Sequence, residues 1–454
     1  MGIILTAAIF FFAEEITAML GRPQAYLALQ MLAPTIFIFA MMATIRGYFQ
    51  GMSSTVPTAL SQVVEQIFNA IFSVVLAHAM WNFALRRGEV AEIYGAAGGT
   101  AGTTLGAVAG FIVVSGVYFL VRPDILKQVR HSRRVALARG GNFADVPKLQ
   151  IARKIIFTSS AIIAGTAIFS VANLIDTWLV IDRLAYGGFE ETRARELLGQ
   201  LTGKFNPITN LPAAISSSLA LVLIPSIAAS KQRPGFGAKK EMHSKINTVL
   251  RVAMLITVPI AFGLGVLGPQ IVALLFPGHP EGGTFFIIGF PSVIFLAVSQ
   301  ISTGVLQAVG KVYIPILAAM AGAAAKTVLG YFLIAQPAIN IYGAIAGTVL
   351  CYLIAAWINC HFLRRSLGIK LEYKAMAAKP VVAATAMAMG CFVIYHLVYA
   401  LFPSNAFATL AAVFAGAMVY ASFMVIIRGF NEEDVRILPK GDKLAKALRA
   451  KGFV

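Results

Sequence analysis

The sequence predicts an all-α, polytopic membrane protein with about 12 transmembrane helices, arranged as two pseudo-symmetric helical lobes and a C-terminal helix pair. Three observations predict it. Of 454 residues, 58% are hydrophobic and only 12% are charged, with a mean hydropathy of +0.80; soluble domains are roughly 25% charged. The apolar residues form runs of bilayer length separated by short basic patches. Two sets of motifs recur in the same order along the chain. This composition excludes an ordinary soluble enzyme, a disordered chain and a disulfide-stapled secreted module.

One short apolar segment, Ile3–Ala13, opens the chain. Eleven longer ones follow near 28–50, 58–80, 94–121, 155–181, 205–230, 246–268, 284–309, 312–335, 340–363, 377–402 and 405–427, numbered here 1 to 12 with the first. Each of the eleven is long enough to cross a bilayer as a helix. The start has neither a basic n-region nor a small-residue cleavage site, so it does not read as a signal peptide.

Lys and Arg set the orientation. Alternating outward from the nine basic residues of 122–154 places 28 on one side and seven on the other, with Arg251 and Lys326 inside helices. The basic side is predicted to be cytoplasmic, with both termini on it. The net charge of +18 sits at segment ends. Its expected partner is therefore anionic membrane lipid and not nucleic acid. Two basic amphipathic stretches, 125–139 and 440–451, read as helices lying on the inner leaflet.

The repeat gives the architecture. Segment 2 ends in Arg46-Gly-Tyr-Phe-Gln50-Gly51 with Pro57 beyond, and segment 8 ends in Thr303-Gly-Val-Leu-Gln307 with Gly310 and Pro315 beyond. Segment 4 opens Tyr94-Gly-Ala-Ala-Gly-Gly-Thr100 and segment 10 opens Tyr342-Gly-Ala-Ile-Ala-Gly-Thr348. The offsets are 257 and 248 residues. Six spans separate the copies, so both halves share one orientation, as in parallel-repeat transporters. The first half is about 100 residues shorter than the second, the length of two helices and most of a third. The expected division is an incomplete first lobe at 1–121, a basic cytoplasmic linker at 122–154, a second lobe at 155–363, a helix pair at 377–427 and a basic tail at 428–454.

No catalytic set or phosphate loop appears, and the six histidines lack ligand spacing, so no enzyme, cofactor or metal is expected. Cys351, Cys360 and Cys391 lie in apolar runs without CxxC spacing and read as small hydrophobes. What remains is polar groups at membrane depth, each costly unless it meets a cavity or a partner. Gln62, Glu65, Gln66 and Asn69 stand at i, i+3, i+4 and i+7 on segment 3, either a polar cavity wall or a helix–helix seam. Segment 5 carries Thr166, Ser170, Asn173 and Thr177, with Asp176 beside them, and segment 8 carries Gln300, Thr303 and Gln307. Lys326 lies mid-segment in an apolar run, where cavity contact or ion pairing is expected.

Segment 6, with Gly203, Lys204, Asn206, Pro207, Asn210 and Pro212, reads as a broken helix of the kind that lines substrate paths. Lys204 is then a cation at the outer mouth of a cavity or a plain interfacial lysine. Arg46, at the end of segment 2, is a substrate contact, a cap or a lipid contact. Gly98, Gly102, Gly106 and Gly110 form a small-xxx-small run for close helix packing.

These residues carry a resemblance. Arg46–Gly51, Pro57-Thr-Ala-Leu-Ser-Gln62 and Glu65-Gln66 resemble the stage V sporulation protein B branch of the polysaccharide-biosynthesis flippases. That branch contains lipid II flippases of Gram-positive bacteria and falls within the multidrug/oligosaccharidyl-lipid/polysaccharide superfamily. Ile175-Asp176-Thr177, Arg183-Leu184, Leu211-Pro212, Ile224-Pro225 and Leu438-Pro439 fit the same pattern. The resemblance implies two six-helix lobes plus a pair of helices, and outward flipping of an undecaprenyl-pyrophosphate-linked cell-wall precursor by alternating access through a cationic cavity. It implies a bacterial plasma-membrane location and cell-wall synthesis proteins as partners. Lys204 and Lys326 are expected to attract pyrophosphate, Glu65 to pair with a cation or titrate, and the Gln and Asn residues to bind sugar hydroxyls. A coupling ion, Na+ or H+, is left open. Two features depart from the family pattern: its first two helices and part of the third have no counterpart, and Asn69 stands where Arg is frequent. A cation-coupled efflux pump of the same superfamily is the alternative, and a non-transporting scaffold or defective, shortened remnant is a third reading.

Overall fold

A chain that spans a bilayer must satisfy its backbone groups within itself. Every described element of this computed structural model is accordingly helical: α-helices joined by short 3-10 and π turns, with no strand among the described residues. Those residues are 2–19, 21–52, 54, 56–138, 147–216, 227, 230, 236–368 and 374–429. The chain divides into two compact units, Met1–Val146 and Pro147–Val454.

In the first unit, α1 (Gly2–Phe11) and α2 (Ala13–Met19) are bent by 71° at their junction. The acidic pair Glu14-Glu15 opens α2, where negative charge suits a helix N-terminus. Three long helices follow: α3 (Tyr26–Gly51), α4 (Val56–Arg87) and α5 (Ala91–Ala138). α5 packs along both α3 and α4, which scarcely touch each other. The α4–α5 contact requires glycine. A Cβ at Gly98 would stand 2.3 Å from the Leu76 carbonyl oxygen, and one at Gly102 would stand 2.2 Å from the Ser73 nitrogen. The stretch 125–139 was expected as a separate surface helix; up to Ala138 it continues α5, which accommodates Pro123 without a break.

The second unit begins with α6 (Lys148–Tyr186), so the stretch expected as linker is helical on both flanks, while 139–146 lies outside the described residues. Next come α7 (Glu191–Gln200), a π turn at Leu201–Phe205 and α8 (206–216). Segment 6 is not broken where the prolines stand. The π turn, in which the Asn206 N–H reaches the Leu201 carbonyl, widens the helix just before Pro207, which has no N–H to give. The run 217–226, including Ile224-Pro225, lies outside the described residues, as does the tail from 430 with Leu438-Pro439 and 440–451.

The unit continues with α9 (Phe236–Leu275), α10 (Phe285–Ala308), α11 (Tyr313–Ile334) and α12 (Tyr342–Leu367), then α13 (Lys379–Leu401) and α14 (Asn405–Ile426). α12 lies against α10 and α11, which scarcely meet, while α11 packs on α6 and α13 packs on α9 and α14. The three-helix arrangement of α3, α4 and α5 thus recurs as α10, α11 and α12, the same helices whose termini share the sequence motifs. A core around Phe205, Phe286, Val293 and Ile345 fills one end of the unit.

Nine helices among the described residues are long and apolar enough to cross a membrane, or ten if the bent pair α1–α2 counts as one span. They match ten of the twelve expected segments; α6 carries segment 5, and segment 6 is described only in part. Large apolar side chains face outward, among them Val74, Trp357 and Phe414, while the ion pairs Arg46–Glu65 and Lys326–Asp176 are turned inward. That inversion is expected when the solvent is lipid.

Candidate functional site

Among the described residues, each unit holds one ion pair well inside its apolar helices. In the first, Arg46 near the C-terminal end of α3 crosses to α4: its Nη2 donates to Glu65 Oε2 at 2.8 Å and its Nε donates to the Ser61 hydroxyl at 2.9 Å. Ser61 in turn donates to the Thr58 carbonyl at 2.8 Å. Only 12% of the Arg46 side chain and 10% of the Glu65 side chain is exposed. Arg46 and Glu65 are thus ion-pair partners across the two helices.

α5 closes over this pair. The glycine run of segment 4 and the polar stripe of segment 3 prove to be two sides of one seam: Gly110 lies over Glu65, Gly106 over Asn69 and Gly102 over Ser73. The stripe itself divides. Glu65 is buried and Asn69 half-buried, whereas Gln62 and Gln66 are exposed. A 3.6-residue repeat puts four such residues on one broad face, but α5 covers only one edge of it. The Ser73 hydroxyl lies 2.9 Å from Asn69 Oδ1 and 2.8 Å from the Gly99 carbonyl, joining both helices.

In the second unit, Asp176 of α6 pairs with Lys326 of α11. Their side chains are 18% and 15% exposed, respectively. A Cβ at Gly347 of α12 would lie 3.2 Å from Lys326 Cγ, so glycine again makes room for an ion pair.

Lys204 lies in the π turn and is committed elsewhere. Its ammonium donates to the carbonyls of His279 at 2.6 Å and Glu281 at 2.9 Å, with the Glu281 carboxylate at 3.8 Å and the Phe276 ring centroid at 5.4 Å. It fastens the loop between α9 and α10. Of the remaining candidates, Asn206 and Gln307 are half-buried, while Asn173, Asn210 and Gln300 are exposed. The Asn173 carbonyl accepts from the Thr177 hydroxyl at 2.9 Å. The Thr166 side chain lies outside the described residues.

Sequence reasoning gave no site role to three further residues with polar contacts, Ser61, Asn359 and Arg183. Ser61 was quoted only as part of a motif. Asn359 of α12, 1% exposed, donates to Thr303 Oγ1 at 2.9 Å and to the Ser299 carbonyl, and its own Oδ1 has no partner among the described residues. A lone Asn in an apolar run was its one signal. Arg183 bonds Asp182 at 2.7 Å, which raises its already high pKa, and lies 4.4 Å from the Tyr331 ring centroid. An open apolar groove of ≈ 420 Å³ on α11 and α12, lined by Ala324, Ala325, Val328, Leu329, Phe332 and Leu350, includes none of the candidates. Among the described residues no three His, Cys, Asp or Glu side chains assemble as a metal site, and the three cysteines are free and buried.

The comparisons with known proteins bear on the family and the fold. The pattern of the polysaccharide biosynthesis protein family matches residues 1–231, which include the Arg46–Glu65 pair and its glycine seam. The chain belongs to that family. The uncharacterized membrane protein YabM of Bacillus subtilis (strain 168) is 24% identical over 455 residues, covering 99% of this chain and 81% of that protein. Stage V sporulation protein B of the same organism is 22% identical over 451 residues, 97% of this chain and 80% of that one. Among solved structures, the lipid II flippase MurJ in an inward closed conformation is similar in fold, with a TM-score of 0.56 and 16% identity over 94% of this chain and 80% of that one. The chain is thus a multi-pass, all-α membrane protein of the polysaccharide biosynthesis family, as the motifs of segments 2 and 3 implied.

Proposed function

We propose that this protein is a flippase that moves a lipid-linked cell-wall oligosaccharide, of the undecaprenyl-pyrophosphate type, across the bacterial plasma membrane by alternating access. Family membership and the fold shared with a solved lipid II flippase support the transport class. The observation that carries the substrate reading is the pair of basic side chains at membrane depth, Arg46 and Lys326, each held by a carboxylate. A carboxylate partner keeps a cation charged in an apolar layer. A pyrophosphate offers the same acceptor chemistry with more charge. Arg46 has five N–H donors and uses two in the bonds described, and Lys326 has three. Both can keep their carboxylate while taking on a phosphate oxygen. The exposed amides Gln62, Gln66, Asn173, Asn210 and Gln300, with half-buried Asn206 and Gln307, supply groups for sugar hydroxyls. Lys204 contributes by fixing the loop between α9 and α10.

The test is flipping by the purified full chain in proteoliposomes, with a fluorescent undecaprenyl-pyrophosphate glycan made accessible to a membrane-impermeant quencher or enzyme. Arg46→Gln paired with Glu65→Gln removes both charges while leaving a neutral, foldable seam. Its flipping rate is expected to fall at least tenfold. An unchanged rate removes Arg46 from anion recognition, and no flipping by the parent chain overturns the reading as a whole.

A further inference from the structure

Only two carboxylates lie well inside the twelve apolar segments, Glu65 and Asp176. Each already has a cation of the same chain: Arg46 for Glu65 and Lys326 for Asp176. A carboxylate at that depth is neutralised in one of three ways: by a proton, by a bound metal cation or by a tethered basic side chain. Transporters that couple to an ion use one of the first two, because the ion must come and go. In this chain both acids have taken the third.

The Asp176 pair shows this best. Asp176 is on α6 and Lys326 on α11, and the two helices pack together. Gly347 of α12 leaves room for the lysine stem, since a Cβ there would stand 3.2 Å from Lys326 Cγ. Lys326 enters the acid's surroundings from a packed helix, not from a mobile loop. Among the described residues, Cys351 and Tyr352 of α12 also lie within electrostatic reach of Asp176, and a thiol or phenol is ordinarily uncharged at neutral pH.

We propose that Lys326 is the resident counter-cation of Asp176, occupying the place an exchangeable ion would need, so that the second unit works without a sodium ion or a proton bound at this carboxylate. This deepens the flippase reading and rests on it for its meaning in transport. It also separates this chain from a pump coupled through that acid.

The test does not depend on transport. Thermal unfolding of the detergent-solubilised full chain is measured in sodium chloride against choline chloride at equal ionic strength, and between pH 8 and pH 5.5. The chains compared are the parent, Lys326→Ala, and the neutral double variant Asp176→Asn/Lys326→Met, which sets the background. The parent and the double variant are expected to show equal, small responses. Lys326→Ala, with its acid exposed to the apolar interior, is expected to gain about 2 °C or more of Tm in sodium or at low pH beyond that background, because a ligand bound only by the folded state stabilises it. If Lys326→Ala does not fold in choline at pH 8, recovery in sodium or at pH 5.5 supports the proposal equally. A parent chain with its own sodium- or proton-specific stabilisation beyond the double variant overturns it. So does a Lys326→Ala chain that neither ion stabilises while the double variant folds. A failure here leaves flipping by the parent untouched, and an absence of flipping leaves this measurement unchanged.

Discussion

Gly110 of α5 lies flush against Glu65 of α4: a Cβ at Gly110 would stand 3.0 Å from Glu65 Cβ and 3.3 Å from Oε2. The Arg46–Glu65 pair is therefore sealed on one side by backbone, and small residues are what allow two helices to approach so closely. The tightest point of the seam is one turn pair away, at Gly102 against the backbone of Ser73. Gly102→Ala is expected to destabilise the chain by about 1–3 kcal/mol, the usual cost of overpacking. Gly99→Ala is its control, since nothing stands within 4 Å of that position. There the better helix former should be neutral or slightly stabilising. Melting profiles of the two variants by fluorescence-detected size exclusion distinguish the outcomes; equal Tm values would mean that the seam does not depend on glycine.

The Arg46–Glu65 pair predicts a non-additive double-mutant cycle. Glu65→Gln leaves a guanidinium buried with only Ser61 and an amide to face, and Arg46→Gln leaves an unpaired carboxylate. Each single change is expected to cost about 3–5 kcal/mol. The double change removes both charges and should recover most of that loss. Arg46→Lys should cost less than Arg46→Gln yet remain destabilising, because a lysine cannot reproduce the fork to Ser61 and Glu65. Additive losses in Tm across the cycle would show that the two side chains do not support each other.

How much of this was legible in the sequence follows from what each feature depends on. α3, α4 and α5 and their echo in α10, α11 and α12 were readable because the repeated motifs sit at helix ends and the spans exceed 20 residues. Glu65, Asp176 and Lys326 were each visible as costly residues in apolar runs, and Arg46 as a basic residue at a segment end. Their pairing was not, since it depends on which helices pack, α3 on one side of α5 and α11 on α6. The stripe of segment 3 was read as one face; only the seam with α5 decides that Glu65 and Asn69 turn in while Gln62 and Gln66 turn out. Pro207 and Pro212 suggested a break, but the π turn before them absorbs the missing donor, and no spacing rule announces a π turn. Lys204 looked like a free cation because its acceptors are backbone carbonyls 75 and 77 residues away, which carry no sequence signal.

Phe205 and Gly289 give a prediction with a built-in rescue. Phe205 is fully buried and its ring occupies the space a side chain at 289 would need, with a Cβ only 2.3 Å from two ring atoms. Gly289→Ala is expected to lower Tm through overpacking of α10 against the helix that carries the π turn, by about 1–3 kcal/mol. Phe205→Leu alone should also destabilise, by loss of its contact with Phe286, whose ring centroid is 5.1 Å away. Combined, the smaller side chain makes room for the methyl group, so the double variant should be more stable than the sum of the two losses predicts. A strictly additive result would place the two residues in separate parts of the core.

Lys204 predicts an effect on a loop and not on the core. Its two carbonyl acceptors, His279 and Glu281, lie in the connection between α9 and α10, and Gly282 of the same connection rests near Gln200 on the last turn of α7. Lys204→Met keeps the apolar stem over Phe276 but removes the donors. Only 14% of the Lys204 side chain is exposed, and without its donors the two carbonyls lose the partners that hold the loop down. Local opening then becomes easier without global unfolding. Hydrogen exchange or limited proteolysis should show increased opening confined to 276–284, with Tm lowered by no more than about 1 kcal/mol equivalent. Glu281→Gln is the discriminating control: the Glu281 carboxylate is 3.8 Å from Lys204 Nζ and half exposed, so removing its charge should leave the loop closed. If Glu281→Gln opens the loop as far as Lys204→Met does, the anchor is the ion pair and not the carbonyl bonds.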